Sequence, residues 1–129
     1  MFTPEYIKMC REAKEIQELR CCNWKPGDFW FDCYEKINVL GNEYDGRAGR
    51  TGGVFLPTQD QLQDMVKDKF NHLFDLLYKF YWFVEDMVDT DEWFAIKERT
   101  LEISWLEFIM HELYKKKWDG EAWVDFGIG

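Results

Sequence analysis

Apolar residues recur along this chain with two different spacings. Tyr6, Met9, Cys10, Ala13, Ile16 and Leu19 fall on one face of a helix, and Glu5, Glu12, Glu15 and Glu18 fall off it. Thr3 is a good N-cap and Pro4 suits the first helical position, so a helix is predicted from Pro4 to about Arg20. Lys25-Pro26-Gly27-Asp28 is then turn chemistry. Extended pieces are predicted at Phe29–Tyr34, Ile37–Leu40 and Val54–Leu56, separated by Gly-Asn and Asp-Gly turn signals. Strands this short need helices to pack against.

The helical period returns after Pro57. Thr58-Gln59-Asp60-Gln61 has the form of a capping box. Leu62, Met65, Val66, Phe70, Leu73, Phe74, Leu77, Tyr81, Val84 and Met87 then keep one face apolar. The pattern over 58–88 fits one long helix or two with a break near Lys69 to Asn71, and two are favoured. The second carries Leu76, Tyr78, Phe80, Trp82 and Phe83 on further sides, the pattern of the central helix of a domain. A short helix is predicted from Trp93 to Arg99. A last one, capped by Thr100, carries Leu101, Trp105, Leu106, Ile109, Met110 and Leu113 and ends at Lys115-Lys116-Lys117, where cations suit the helix dipole. Asp119-Gly120 is a turn and Trp123-Val124 an extended piece. The fold class expected is α+β: a predominantly helical single domain over 1–129, with a small antiparallel β-meander at about residues 28–56 packed against four or five helices.

Composition narrows what such a domain does. Its 129 residues are 47% hydrophobic and 19% aromatic, with 11 Phe, 7 Trp and 6 Tyr, so a packed core is expected and disorder is excluded as the main state. No apolar run reaches the length of a membrane span, and MFTPEYIKMC lacks the charged-then-apolar layout of a signal peptide. The expected location is therefore the cytoplasm, with no membrane partner. The net charge is −9, and between Glu85 and Glu112 nine acids face two bases. A duplex-binding protein carries a basic footprint instead, so direct nucleic-acid binding is not expected.

Several blocks carry a family resemblance: Phe2-Thr3-Pro4-Glu5-Tyr6-Ile7-Lys8-Met9-Cys10, Lys25-Pro26-Gly27-Asp28, Leu56-Pro57-Thr58-Gln59-Asp60-Gln61-Leu62-Gln63 and Trp118-Asp119-Gly120-Glu121-Ala122-Trp123. Together they resemble a group of small proteins encoded by phages and prophages of Gram-positive bacteria. That group has no assigned activity, so the resemblance implies a genomic setting and no catalytic residues.

The candidate chemistry is sparse. The Gly46–Gly53 loop lacks the Lys of a phosphate-binding loop and precedes a strand; Arg47 and Arg50 are its only features suited to a partner or an anion. The cysteines run C-x10-C-C-x10-C, which is not zinc spacing, and no cofactor is expected. His111 follows Glu107 by one turn, so the two can meet. There is one serine, Ser104, in the last helix, and no nucleophile motif. All-helical nucleotide hydrolases hold magnesium with E-x-x-E and E-x-x-D sets; this chain has Glu12 and Glu15 as an E-x-x-E pair and Asp86 and Asp89 as a D-x-x-D pair, and this is the alternative reading.

The principal expectation is a non-enzymatic phage or prophage accessory protein acting by protein–protein contact. Its sharper form is an acidic inhibitor of a host nucleic-acid-handling protein, with Glu85, Asp86, Asp89, Asp91 and Glu92 as partner-contact candidates beside Arg47 and Arg50. Phe80-Tyr81-Trp82-Phe83 cannot all be buried on one side of a helix. Core packing of the rings is the first expectation, and a partner surface or homodimer face the second.

Overall fold

The patterns above become five α-helices, a three-stranded antiparallel sheet and a two-stranded sheet in the computed structural model, which describes residues 2–20, 24–41 and 53–126. The α+β expectation holds. The chain groups into two compact units. One comprises Phe2–Thr58 and Trp118–Trp123, the other Gln59–Lys117 and the residues from Val124 onward.

In the first unit the N-terminal helix starts as its residues dictate. Pro4 stands at the first position and the Thr3 hydroxyl accepts from the Tyr6 N–H at 3.2 Å. It is not one helix to Arg20, however. α1 (Pro4–Glu12) and α2 (Lys14–Arg20) are separated by Ala13, which leaves helical geometry. The reason lies in Gln17. Its amide nitrogen donates to the Cys10 carbonyl at 2.9 Å and to the Phe55 carbonyl at 3.0 Å, and its amide oxygen accepts from the Phe55 N–H at 2.7 Å. The Cys10 carbonyl also accepts the Ala13 N–H at 3.1 Å, so one side chain adds a second donor at the break and closes a sheet edge.

That sheet has the order β2–β1–β3, with β1 (Phe29–Phe31) central, β2 (Ile37–Val39) on one side and β3 (Val54–Leu56) on the other. Trp30 lies opposite Asn38 and Phe55. The first strand stops at Phe31 and not at Tyr34 because Asp32 builds a turn. Its carboxylate accepts from Asn38 Nδ2 and from the Tyr34 and Lys36 N–H groups at 2.8–2.9 Å, which holds its pKa below the usual range. Tyr6, Met9, Cys10, Ala13, Ile16, Phe55 and Leu56 form the unit's core. The Tyr6 hydroxyl donates to the Pro57 carbonyl, and Trp123 Nε1 donates to the Met9 carbonyl at 2.9 Å.

The Lys25–Asp28 turn is a type II turn with Pro26 and Gly27 in the middle, Gly27 at φ +93°, and the Asp28 N–H bonded to the Lys25 carbonyl at 3.1 Å. A Cβ at Gly27 would meet nothing within 4 Å, so the penalty for Gly27→Ala is conformational only. Gly27→Ala is expected to cost about 1–2 kcal/mol in urea unfolding. No loss would mean that the turn takes another form in solution.

The second unit is built on helices. α3 (Gln59–Val66) runs into a 3-10 turn at Lys67–Lys69, and α4 (Leu73–Asp89) follows, so the predicted break falls where expected. α5 (Leu101–Tyr114) begins with the Thr100 hydroxyl accepting from Ile103 N–H at 3.2 Å and ends with Lys115 in the left-handed region at φ 54°. Ile103 to Met110 are all buried, so α5 is the central helix of this unit, with α3 and α4 packed on it.

The predicted helix from Trp93 to Arg99 is only a 3-10 turn at Glu92–Ala95. Arg99 Nε donates to the Trp93 carbonyl at 3.0 Å, taking the acceptor that a continuing helix would use. Beyond α5 the lysine run does not end the structure. β4 (Lys116–Trp118) pairs with β5 (Trp123–Asp125) across the Asp119-Gly120 turn, and the Phe126 N–H bonds to the Lys115 carbonyl at 3.2 Å. Among the described residues no helix is long and apolar enough to cross a membrane.

Candidate functional site

Helical periodicity gives α4 two apolar faces, and the structure uses them differently. The inner face carries Leu76 and Met87, which are buried, with Phe80, Phe83 and Val84 half-buried between them. Phe80 lies flat on Trp105 with centroids 3.8 Å apart, and Phe83 meets Phe108 edge-on at 5.5 Å. The outer face carries Phe74, Leu77, Tyr78, Tyr81, Trp82 and Val88, all exposed; Phe74 is 81% and Tyr78 67% accessible. Tyr78 and Trp82 lie 6.4 Å apart, and Tyr81 meets Trp82 edge-on at 5.6 Å, so the rings form one continuous strip.

This corrects the expectation that the aromatic helix is central. An apolar residue gives the same sequence signal whether a neighbour covers it or water does. The central place went to α5, buried on every side from Ile103 to Met110, leaving α4 with one covered face. Monomeric proteins seldom keep a contiguous apolar strip in water without a use for it.

At its C-terminal end the strip runs into acid. Glu85 is half-buried and accepts from the Tyr81 hydroxyl, which pushes the Tyr81 pKa up. Asp86, Asp89, Asp91 and Glu92 are exposed. The last turn of α4 carries no basic residue, so these carboxylates sit at the negative end of the helix dipole without compensation on the helix. Thr90 and left-handed Asp91 (φ 65°) close the helix: the Thr90 hydroxyl donates to the Asp86 carbonyl at 3.0 Å. Glu92 lies 4.0 Å from Lys117, both well exposed, a contact worth little in water.

The other predicted candidates lie elsewhere in the chain. Arg47, Arg50 and the Cys21-Cys22 pair lie outside the described residues. Glu12 and Glu15 belong to the first unit, on either side of the Ala13 break, and Asp86 and Asp89 to the second. Among the described residues no three His, Cys, Asp or Glu side chains stand close enough to share a metal ion. Cys10 is fully buried, and burial raises its thiol pKa far above the range of a reactive nucleophile. Asp60 and Asp64 on α3 and Asp68 in the 3-10 turn after it form a solvated row, with Asp64 paired to Lys67 at 2.6 Å.

Glu107 does not meet His111 as its partner. It is paired with Arg99, whose Nη1 lies 3.1 Å from Glu107 Oε1 and whose guanidinium covers the Trp93 ring at 4.4 Å. Burial nonetheless raises the Glu107 pKa to about 7, because desolvation outweighs the attraction of Arg99. His111 lies between Phe126, stacked at 4.5 Å, and Phe83, and burial lowers its pKa despite Glu112 nearby. Residue spacing shows Glu107 and His111 but not Arg99, eight positions away and placed by the loop. No family model, curated protein or solved structure matches the chain.

Proposed function

We propose that this chain is a non-enzymatic accessory protein, of the phage or prophage kind its sequence blocks resemble, and that it acts by gripping another protein. The observation that carries the reading is the uncovered strip on α4. Aromatic side chains give large contact area for little lost conformational freedom, and they dominate the energetics of protein interfaces. The acids from Glu85 to Glu92 border the strip and would hold a partner in register and speed its approach. They also support the sharper form, in which the carboxylates occupy a basic surface that otherwise takes nucleic acid.

The test is a photo-crosslinking residue at position 74, 78 or 82, compared with position 60 on α3, in the cells that naturally make the protein. Discrete adducts from the α4 positions and none from 60 are expected. Equal labelling from both helices, or no adduct from α4, would remove the proposal.

A further inference from the structure

The nature of the occupant follows from what α4 offers and lacks. A helix face presents no unpaired backbone N–H groups, so strand addition is not available to the partner. What α4 does present are ridges at four-residue spacing, Phe74-Tyr78-Trp82, beside Leu77-Tyr81-Glu85. A second helix packs its own ridges into the grooves between such rows. From Phe74 to Val88 the strip is about 20 Å long, matching a partner helix of about four turns.

Charge decides which helix. α4 carries Asp75, Glu85, Asp86 and Asp89 against the single cation Lys79, and Asp91 and Glu92 follow at once. In a parallel pair of two copies, the acidic ends of both helices would lie side by side. An antiparallel pair would bring each acidic end towards Lys67 and Lys69 of the other copy. Those cations are already engaged within their own chain, Lys67 with Asp64 at 2.6 Å and Lys69 with the Glu112 carbonyl. A net charge of −9 per chain adds general repulsion. An anionic lipid surface is opposed by the same acids. We infer that the outer face of α4 docks a cationic amphipathic helix of another protein, with apolar side chains among Phe74, Tyr78, Tyr81 and Trp82 and Lys or Arg against Glu85, Asp86 and Asp89. This rests on the protein–protein reading above and names the partner's chemistry.

Two labelled helical peptides of about the length of α4 test it, one of Leu and Lys and one of Leu and Glu with the same Leu positions. Each is titrated against the full chain by fluorescence anisotropy at low and high salt. The Leu/Lys peptide is expected to bind about tenfold or more tightly than Leu/Glu, and to weaken as salt rises. Phe74→Ala with Trp82→Ala should weaken it about tenfold with the fold intact by circular dichroism. Asp86→Lys with Asp89→Lys should weaken it similarly, whereas Asp60→Lys with Asp68→Lys, the same change of net charge on the solvated row, should leave it within about twofold.

Equal loss from both charge pairs would reduce the effect to overall charge and overturn the inference. So would indifference to the ring substitutions, equal binding of both peptides, or tighter binding to vesicles of phosphatidylcholine and phosphatidylglycerol. A dimer by sedimentation that the Phe74→Ala/Trp82→Ala variant dissociates would hand the face to a second copy. Crosslinks from position 82 with no discrimination between the peptides would sink this inference alone. Absence of those crosslinks sinks the broader reading.

Discussion

Phe108→Ala is expected to destabilise the protein by about 3–5 kcal/mol. Phe108 is fully buried on α5 and sits among Phe70, Phe80, Phe83 and Trp105, with ring centroids between 5.5 and 6.4 Å from its own. Truncation removes the transfer free energy of a whole ring and opens a void whose walls are themselves rigid rings, so relaxation recovers little. Phe74→Ala, the same deletion on the outer face of α4, should change stability by no more than about 0.5 kcal/mol. Urea unfolding of the two variants, read as midpoints at unchanged slope, measures the contrast. Comparable losses would mean that the outer strip is covered within the folded chain.

The second large effect depends on pH. Glu107 binds its proton more tightly folded than unfolded, with a pKa of about 7 in place of 4.5. Between those values folding takes up a proton. The stability contributed by Glu107 is therefore full below about 4.5 and falls by about 3 kcal/mol as pH rises through 7. Glu107→Gln removes this slope, and the difference between wild type and variant cancels the opposite trend from His111, whose lowered pKa favours the folded state as pH rises. The partner supplies a second arm. Arg99 is held by Glu107, by the Trp93 carbonyl and by the Trp93 ring. Arg99→Met strands the carboxylate and should cost about 3–5 kcal/mol at pH 8, and less at pH 5 where a proton neutralises it. Equilibrium unfolding at the two pH values checks both variants. A wild-type profile parallel to that of Glu107→Gln would show that Arg99 keeps the acid ionised throughout.

Much of the fold was legible because local chemistry and periodicity agreed with it. Thr3-Pro4, Lys25-Pro26-Gly27-Asp28, Pro57 and Thr100 mark boundaries by steric and capping rules that act within a few residues. The misses share one cause: side chains reaching across loops. Gln17 breaks a helix that its apolar stripe predicts as continuous, and Asp32 ends a strand that aromatic residues would extend. Arg99 stops a helix by taking a carbonyl six residues back.

The candidate site was half legible. The run Phe80-Tyr81-Trp82-Phe83 says that some rings face away from the core. Which ones do so depends on where α5 lies, and that is decided by packing among helices distant in sequence. The acids from Glu85 to Glu92 were visible as a block. Their place at the end of an uncovered strip required the structure.

The Trp123 indole bonded to the Met9 carbonyl, and the Lys8–Glu121 ion pair at 2.8 Å, join positions more than a hundred residues apart. The unit that holds the first helices is completed by residues 118–123. On a ribosome, residues 2–17 would wait for residues 118–123 before the unit is complete, while residues 59–117 have most of their partners close at hand. Loop closure over such a separation is slow. An early-emerging segment with unburied Tyr6, Met9 and Ile16 would therefore be the part of the nascent chain most exposed to chaperones and proteases.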